Sequence, residues 1–272
     1  MTDLYAVVGH PVGHSKSPKI HAQFAVATAQ DMEYTAIQAP LDGFVPTVTA
    51  FFDRGGKGLN VTVPFKQEAW KLCQIRTAGA ETAGAVNTLW RDAEGRLCGD
   101  NTDGCGLIRD ITCNHQVVLV GKRVLVLGAG GAVRGILQPL LAELPGEVVI
   151  ANRTPGKAET LVDLFPGVTN LRAVAFDQLA GAFDVVINGT SASLAGDLPP
   201  LPSEIITSQT VTYDMMYGSD VTVFNAWAQS CGANRCLDGL GMLVEQAAEA
   251  FARWRGVRPE TQDVLAFLRA LG

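Results

Sequence analysis

The chain is short of charge, and of basic charge above all. Of its 272 residues 18% are charged, with 21 Lys and Arg against 27 Asp and Glu and a net charge of −6. Nucleic-acid binding needs a basic face, so that class is excluded. A few local cations would still serve a small anionic ligand. No C-x-x-C pair occurs among the six cysteines, Cys73, Cys98, Cys105, Cys113, Cys231 and Cys236. Reduced thiols in a cytoplasmic protein are the expectation. Histidine is scarce at four residues, of which His10, His14 and His21 lie close together. Pro11 and Gly13 spoil the helical spacing of a metal pair there, so no metal site is expected. No apolar run reaches the 18 or so residues that a membrane span needs. Met1 to Pro18 has neither the cationic start nor the apolar core of a signal peptide. With 47% hydrophobic residues, the chain has ample core and is comfortable as two domains.

One further absence is local and informative. Val124 to Leu127 is a short apolar run suited to a strand buried on both faces. Gly128, Gly130 and Gly131 follow, then a helix-compatible segment from Gly135 to Glu143, then a second apolar run from Val148 to Ala151. Strand, glycine turn, helix and strand make a βαβ unit whose helix N-terminus offers free N–H groups to a pyrophosphate. The third glycine of the dinucleotide fingerprint is missing, because Val133 stands there. Also missing is the Asp or Glu that an NAD site places after the second strand. The chain has Asn152-Arg153-Thr154 instead, with Lys157 beyond. A carboxylate would repel a 2′-phosphate, whereas a guanidinium binds one through paired hydrogen bonds. The pattern favours NADP over NAD.

Before this unit, Leu4 to Val8 reads as a strand, followed by a loop from Gly9 to His14 and a helix from Lys19 to Ala29. Ser17 before Pro18 fits a helix N-cap. That leaves the second hydroxyl, Ser15, unexplained, and two hydroxyls beside a helix start could seat a carboxylate. Tyr34 to Ala39 reads as a second strand and Gly43 to Arg54 as a helix. In the stretch from Gly58 to Lys66, Asn60 and Thr62 alternate with Val61 and Val63, predicting a strand with one polar face. A helix is expected over Lys66–Cys73, with Lys66 at its unfavourable N-terminus. Strands are expected over Ala85–Trp90, containing Asn87, and over Arg96–Cys98. Asp103 follows in Gly99-Asp-Asn-Thr-Asp-Gly104, where it could cap the next helix. Further strands at Asp184–Ile187 and Thr210–Asp214 lead into the loops Asn188–Ser191 and Met215–Gly218. Such loops lie where open α/β sheets bind ligands. Helices over Met242–Arg253 and Gln262–Leu271 close the chain.

Taken together, these stretches resemble the shikimate dehydrogenase family. The likeness is carried by Ser15-Lys-Ser-Pro18, Gly56-Lys-Gly-Leu-Asn-Val-Thr-Val-Pro-Phe-Lys66, Gly84-Ala-Val-Asn-Thr88 and Gly99-Asp-Asn-Thr-Asp-Gly104. Gly128-Ala-Gly-Gly-Ala132, Asn152-Arg-Thr154, Tyr213-Asp-Met215 and Asp238-Gly-Leu-Gly-Met242 extend it over nearly the whole length. The resemblance implies reversible, NADPH-dependent reduction of 3-dehydroshikimate to shikimate. It implies substrate contacts at Ser15, Ser17, Thr62, Lys66, Asn87, Asp103, Tyr217 and Gln246, with Lys66 and Asp103 as the catalytic pair. Cofactor contacts would fall on Gly128, Ala129, Gly130, Gly131, Ala132, Asn152, Arg153 and Thr154, and near Met215 and Gly239. The chain departs from the family pattern at Ala78, where many relatives are acidic. It also departs at the bulky Val133 and at Gly189, which replaces a common alanine.

The expected fold is α/β with two domains and a cleft between them. A substrate domain would span residues 1–103 and a Rossmann-like NADP domain residues 104–239, with helices of residues 240–272 packing back on the first. A small-molecule substrate, no nucleic acid and no membrane are expected, as monomer or homodimer. Hydride addition to a ketone builds charge on its oxygen, which Lys66 would stabilise and protonate while Asp103 orients Lys66. Two alternatives stay open. A quinate/shikimate dehydrogenase would use NAD or both cofactors, and a ligand sensor on the same fold need not keep Lys66 and Asp103 together.

Overall fold

The computed structural model describes residues 2–190, 192 and 197–271. The chain divides into two compact units: Met1–Gly106 with Leu243–Leu271, and Leu107–Met242. Each is built on a six-stranded sheet.

In the first unit, β1 (Asp3–Gly9) pairs in parallel with β2 (Met32–Gln38) and β3 (Gly58–Val61). β3 pairs antiparallel with β5 (Thr88–Arg91), and β5 antiparallel with β6 (Leu97–Asp100). The two-residue β4 (Ile75–Arg76) closes the order β2-β1-β3-β5-β6-β4. Ala6, Val8, Leu59, Val61 and Leu89 face a core completed by Phe44, Phe51, Phe52 and Phe65. Between the strands the chain forms the helices α1 (Ser17–Ala27), α2 (Phe44–Asp53), α3 (Lys66–Leu72) and α4 (Ala78–Ala83).

In the second unit all strand pairs are parallel. The order is β12 (Arg235–Asp238), β11 (Val211–Asp214), β10 (Val185–Asn188), β7 (Arg123–Leu127), β8 (Glu147–Ala151) and β9 (Leu171–Val174). Side chains of β7 alternate between two cores. Val124 and Val126 pack on one face, Leu125 and Leu127 on the other. This is why a parallel strand covered on both sides reads as an unbroken apolar run. The helix α6 (Gly131–Ala142) starts directly after the glycine turn, earlier than the segment from Gly135. Helices α7 (Pro155–Val162) and α8 (Val223–Ser230) come later in the same unit. Tyr213 of β11 is fully buried and donates to the buried Asp110 carboxylate at 2.7 Å, giving both polar groups a partner.

Three strands escaped the apolar pattern, and all three are sheet edges: β4, β9 and β12. Each of these edges carries an arginine (Arg76, Arg172 and Arg235) and lacks the continuous apolar run of inner strands such as β7 and β8. The alternation predicted for Asn60 to Val63 also breaks down. β3 ends at Val61, all four of its residues are buried, and Val63 is 62% exposed beyond it.

Candidate active site

Parallel pairing sets the carboxyl ends of β1 and β3 side by side, and antiparallel pairing brings the start of β5 and the end of β6 to the same edge. Four loops therefore meet along one edge of the first sheet. From β1 come Ser15 and Ser17, from β3 Thr62 and Lys66, before β5 Asn87, and after β6 Asp103.

Lys66 opens α3, and the residue before it is anchored. Phe65 is buried and stacks on Phe44 at 4.9 Å between ring centroids. The Lys66 ammonium lies 2.5 Å from the Asp103 carboxylate, with both side chains only partly exposed. A helix N-terminus disfavours a cation by about 0.3–1 kcal/mol, so this carboxylate offsets a cost that the backbone imposes. The other Asp103 oxygen accepts the Asn87 side-chain N–H at 2.8 Å. Asn87 stands just before β5, its N–H bonded to the Asp100 carbonyl at 3.0 Å, and one residue earlier the Val86 N–H turns to the Lys66 carbonyl at 2.9 Å. Gln246, on helix α9 (Leu240–Arg255), brings its Oε1 to 3.4 Å from the same Asn87 amide.

The Asp100 to Asp103 loop is tied down at every step. Asp100 accepts from the Asn101 N–H at 2.8 Å, the Thr77 hydroxyl at 2.5 Å and Arg253 at 3.1 Å. Asn101 donates to the Ala85 carbonyl at 3.1 Å and accepts from the Asp103 N–H at 3.1 Å. It is therefore Asn101 that bonds the first N–H of helix α5 (Asp103–Arg109), and the Asp103 side chain is left for Lys66 and Asn87.

Ser17 does not cap α1. The cap position is Lys16, without a side-chain hydrogen bond, and Ser17 is the first helical residue. Ser15 fills the gap, its hydroxyl accepting the Ser17 N–H at 3.3 Å. The buried Ser17 hydroxyl turns towards Tyr34, whose own proton goes to Asn60 Oδ1 at 2.7 Å. Thr62 packs so closely on Gly9 that a Cβ there would lie 2.4 Å from its methyl group. Glycine at position 9 therefore lets the β1 and β3 loops approach. Beneath them His21 is fully buried, stacked on Tyr34 at 4.1 Å. Neither of its ring nitrogens finds a partner among the described residues. Burial pushes its pKa down to about 3, opposed in part by the neighbouring Asn60 amide. His10 bonds the Ala39 carbonyl at 2.8 Å. Among the described residues no cluster of three or more His, Cys, Asp or Glu could hold a metal, and no helix is long and apolar enough to cross a membrane.

The second unit carries a cavity of about 680 Å³ beyond the carboxyl ends of β7, β8 and β10. Gly128, Ala129, Gly130, Gly131 and Ala132 of the glycine turn line it, together with Asn152 and Arg153 at the end of β8. Gly128 adopts φ +103°, a conformation that glycine alone takes readily. A Cβ on Gly130 or Gly131 would meet nothing, so the backbone before α6 stands open to a ligand. Arg153 is exposed and has no ion-pair partner among the described residues. Thr154, Met215 and Gly239 do not line the cavity. Thr154 accepts from Asn152 through its carbonyl at 2.9 Å, and Gly239 lies against the Met215 backbone, where a Cβ would approach within 2.2 Å. Tyr217 belongs to the second unit and is 38% exposed, with burial raising its phenol pKa.

Sequence reasoning missed Phe176, Asp197, Leu198, Pro199 and Pro200 on the cavity wall. Phe176 opens a short 3-10 helix and the other four lie in irregular chain, none within a motif, and only the position of Asn188–Ser191 after a strand gave a signal. Gly189 and Thr190 of that loop do line the cavity, and Ser191 lies outside the described residues. The two departures at 133 and 189 prove to be one packing solution. A Cβ on Gly189 would sit 2.5 Å from a methyl group of the fully buried Val133, so the smaller residue makes room for the larger.

Residues 7–89 match the family described as the shikimate dehydrogenase substrate binding domain. Residues 112–196 match shikimate / quinate 5-dehydrogenase, and residues 239–268 the shikimate 5′-dehydrogenase C-terminal domain. The chain is 61% identical to shikimate dehydrogenase (NADP(+)) of Alkalilimnicola ehrlichii over 269 residues, 99% of each chain. Its structure resembles an Ael1 enzyme of Pseudomonas putida with a TM-score of 0.95 and 48% identity, covering 98% of both chains. It also resembles shikimate 5-dehydrogenase of Thermus thermophilus, solved with NADP(H) and shikimate, at TM-score 0.87 and 33% identity over 99% of both. Matches this extensive, in family models, in sequence identity and in structure, make the chain a member of the shikimate dehydrogenase family.

Proposed function

We propose that the chain is an NADP-dependent shikimate dehydrogenase, reversibly reducing 3-dehydroshikimate to shikimate. The observation that carries this reading is the Lys66 ammonium held at 2.5 Å on Asp103, at a sheet edge that also presents Ser15, Ser17, Thr62 and Asn87. Residues 1–103 with the last helices would bind the substrate, and residues 104–239 the cofactor.

NADPH, when bound, supplies the hydride. The glycine turn and the first N–H groups of α6 suit its pyrophosphate, since open backbone donors at a helix N-terminus attract phosphate. The exposed Arg153 guanidinium suits the 2′-phosphate. Asp197 shares that cavity wall, and its carboxylate would sit better beside a sugar hydroxyl than beside phosphate.

Lys66 holds the proton that the ketone oxygen must receive as negative charge develops there. Asp103 keeps the ammonium in place with one oxygen while Asn87 steadies the other. In the oxidative direction the same nitrogen takes the hydroxyl proton. Ser15 and Ser17 would bind the substrate carboxylate, and Thr62, Asn87 and Gln246 the ring substituents. We assign the enzyme to the cytoplasm, where six free cysteines are stable as thiols.

An absorbance assay at the nicotinamide band tests the reading, with shikimate or quinate and either cofactor. Reduction of NADP by shikimate is expected. A preference for quinate or for NAD would move the chain to the broader quinate/shikimate class, and no turnover with any pair would overturn the reading.

A further inference from the structure

We propose that Thr88 is a positioning residue for catalysis, fixing the Asn87 amide so that its N–H groups face the Asp103 carboxylate that holds Lys66. The inference rests on the catalytic roles proposed above for Lys66 and Asp103, and it concerns a residue that touches neither.

The direction of each hydrogen bond is set by what its partners can do. Asn60 lies in β3, opposite Thr88 in β5, and both are buried. The Asn60 amide nitrogen lies 3.1 Å from the Asn87 backbone carbonyl, which only accepts. Its oxygen lies 2.7 Å from the Tyr34 hydroxyl, which donates to it. The Asn60 amide can therefore sit only one way round. Its nitrogen also lies 3.2 Å from Thr88 Oγ1, so Thr88 accepts there. A hydroxyl has one proton, and at Thr88 it is left for Asn87 Oδ1, 2.9 Å away. The Thr102 N–H also donates to Asn87 Oδ1, at 3.0 Å. With two donors on its oxygen, Asn87 must present its nitrogen to Asp103 at 2.8 Å. A polarised chain thus runs from Tyr34 through Asn60, Thr88 and Asn87 to Asp103 and Lys66. Thr88 is 0% exposed, so no water replaces its hydroxyl, and the neighbouring amides would be left short of a partner.

Thr88→Val keeps the shape of the side chain and removes the donor and acceptor together. Leaving buried amides under-satisfied weakens the hold on Asp103, and turnover is expected to fall about tenfold. The NADP Michaelis constant should stay within twofold. Because the defect lies in proton delivery, the solvent deuterium isotope effect on turnover should rise. Thr88→Ser, which restores the hydroxyl without the methyl group, should return most of the lost turnover. The measurement is kcat per NADP-binding site, in H₂O and D₂O, for wild type and both variants. If Thr88→Val does not fold, Thr88→Cys, with its weaker S–H donor, takes its place. An active wild type with an unaffected Thr88→Val, or a loss that Thr88→Ser shares in full, overturns the proposal alone. A wild-type chain inactive with shikimate and NADP overturns the functional reading and this proposal with it.

Discussion

The second sheet is parallel throughout, and what it offers a ligand at its carboxyl edge is mainly backbone: a glycine turn, a helix start and few polar side chains. The first sheet interposes an antiparallel pair, β5 and β6, beside its parallel strands. That arrangement brings two more loops to the same edge, and they meet in a dense set of side-chain hydrogen bonds around Asn87 and Asp103. A backbone cradle binds a phosphate through dipoles that any sequence carries, provided glycine keeps it open. A proton donor has to be one particular side chain, held by others. The two halves should therefore respond differently to substitution, the first in turnover and the second in cofactor binding and choice.

The largest expected effect lies in the first unit. Lys66→Ala should lower turnover about 100- to 10,000-fold, the usual worth of general acid–base help. Shikimate affinity should stay near normal, because a group that meets developing charge binds the transition state more tightly than the ketone. Asp103→Ala should lose affinity as well as turnover. Steady-state kinetics with shikimate titrations into each variant decide the matter. A Lys66→Ala enzyme within threefold of wild type, with hydride transfer rate-limiting, would remove Lys66 from the chemistry.

In the second unit the comparable weakness is steric. Gly189→Ala would drive a methyl group against Val133, which is β-branched, fully buried and fixed in the first turn of α6. Overpacking of this kind costs about 1–3 kcal/mol. The strain falls on the helix that would face the pyrophosphate, so NADP affinity should drop together with stability. Adding Val133→Ala should recover much of both. Urea unfolding of the two single variants and the double variant gives the coupling directly. Strictly additive losses would mean that the two positions do not share one space.

This contrast also explains what could be read from the residues. The parallel sheet announced itself, since strands buried on both faces leave continuous apolar runs such as Val124–Leu127. Its edges, β9 and β12, did not, because half-exposed strands lose that signature. In the first unit Lys66, Asn87 and Asp103 were recognisable from their motifs, yet the motifs could not say what each neighbour does. Ser17 looked like a helix cap, and the cap position belongs to Lys16. Asp103 looked like a cap as well, and Asn101 takes that bond. Thr88 closes the Gly84–Thr88 motif, yet nothing in the motif gave it a role. Its role needs the register that sets it opposite Asn60, and register is a property of pairing that no local pattern records.

The buried first-unit network packs against a titratable ring, since His21 stacks on Tyr34, and pH should act on stability there. His21 is neutral in the folded chain, its pKa lowered to about 3, against about 6.5 when unfolded. Below pH 6.5 the unfolded chain binds a proton that the folded chain refuses until about pH 3. The contribution is therefore full above pH 6.5 and falls as pH drops through that window. The slope for one proton is about 1.4 kcal/mol per pH unit, or roughly 2 kcal/mol lost by pH 5. His21→Phe should flatten this part of the stability profile by one proton. Parallel wild-type and His21→Phe profiles between pH 4 and 6.5 would deny His21 the effect.

The smallest effect expected is in cofactor choice. Arg153 lines the cavity at the end of β8, where an NAD site would carry an acid, and it has no ion-pair partner among the described residues. Being exposed, it acts through solvent that screens its charge, which limits what one guanidinium contributes. Arg153→Ala should raise the NADP Michaelis constant by about tenfold, the ratio that about 1.4 kcal/mol corresponds to. NAD, without the 2′-phosphate, should be used nearly as before. The NADP penalty should also shrink as salt rises, since a screened pair weakens with ionic strength while backbone contacts at the α6 N-terminus do not depend on Arg153. Comparing both cofactors at low and high salt therefore separates recognition by charge from damage to the loop. Equal losses with NADP and NAD would mean that Arg153 shapes the loop after β8 rather than reading the phosphate.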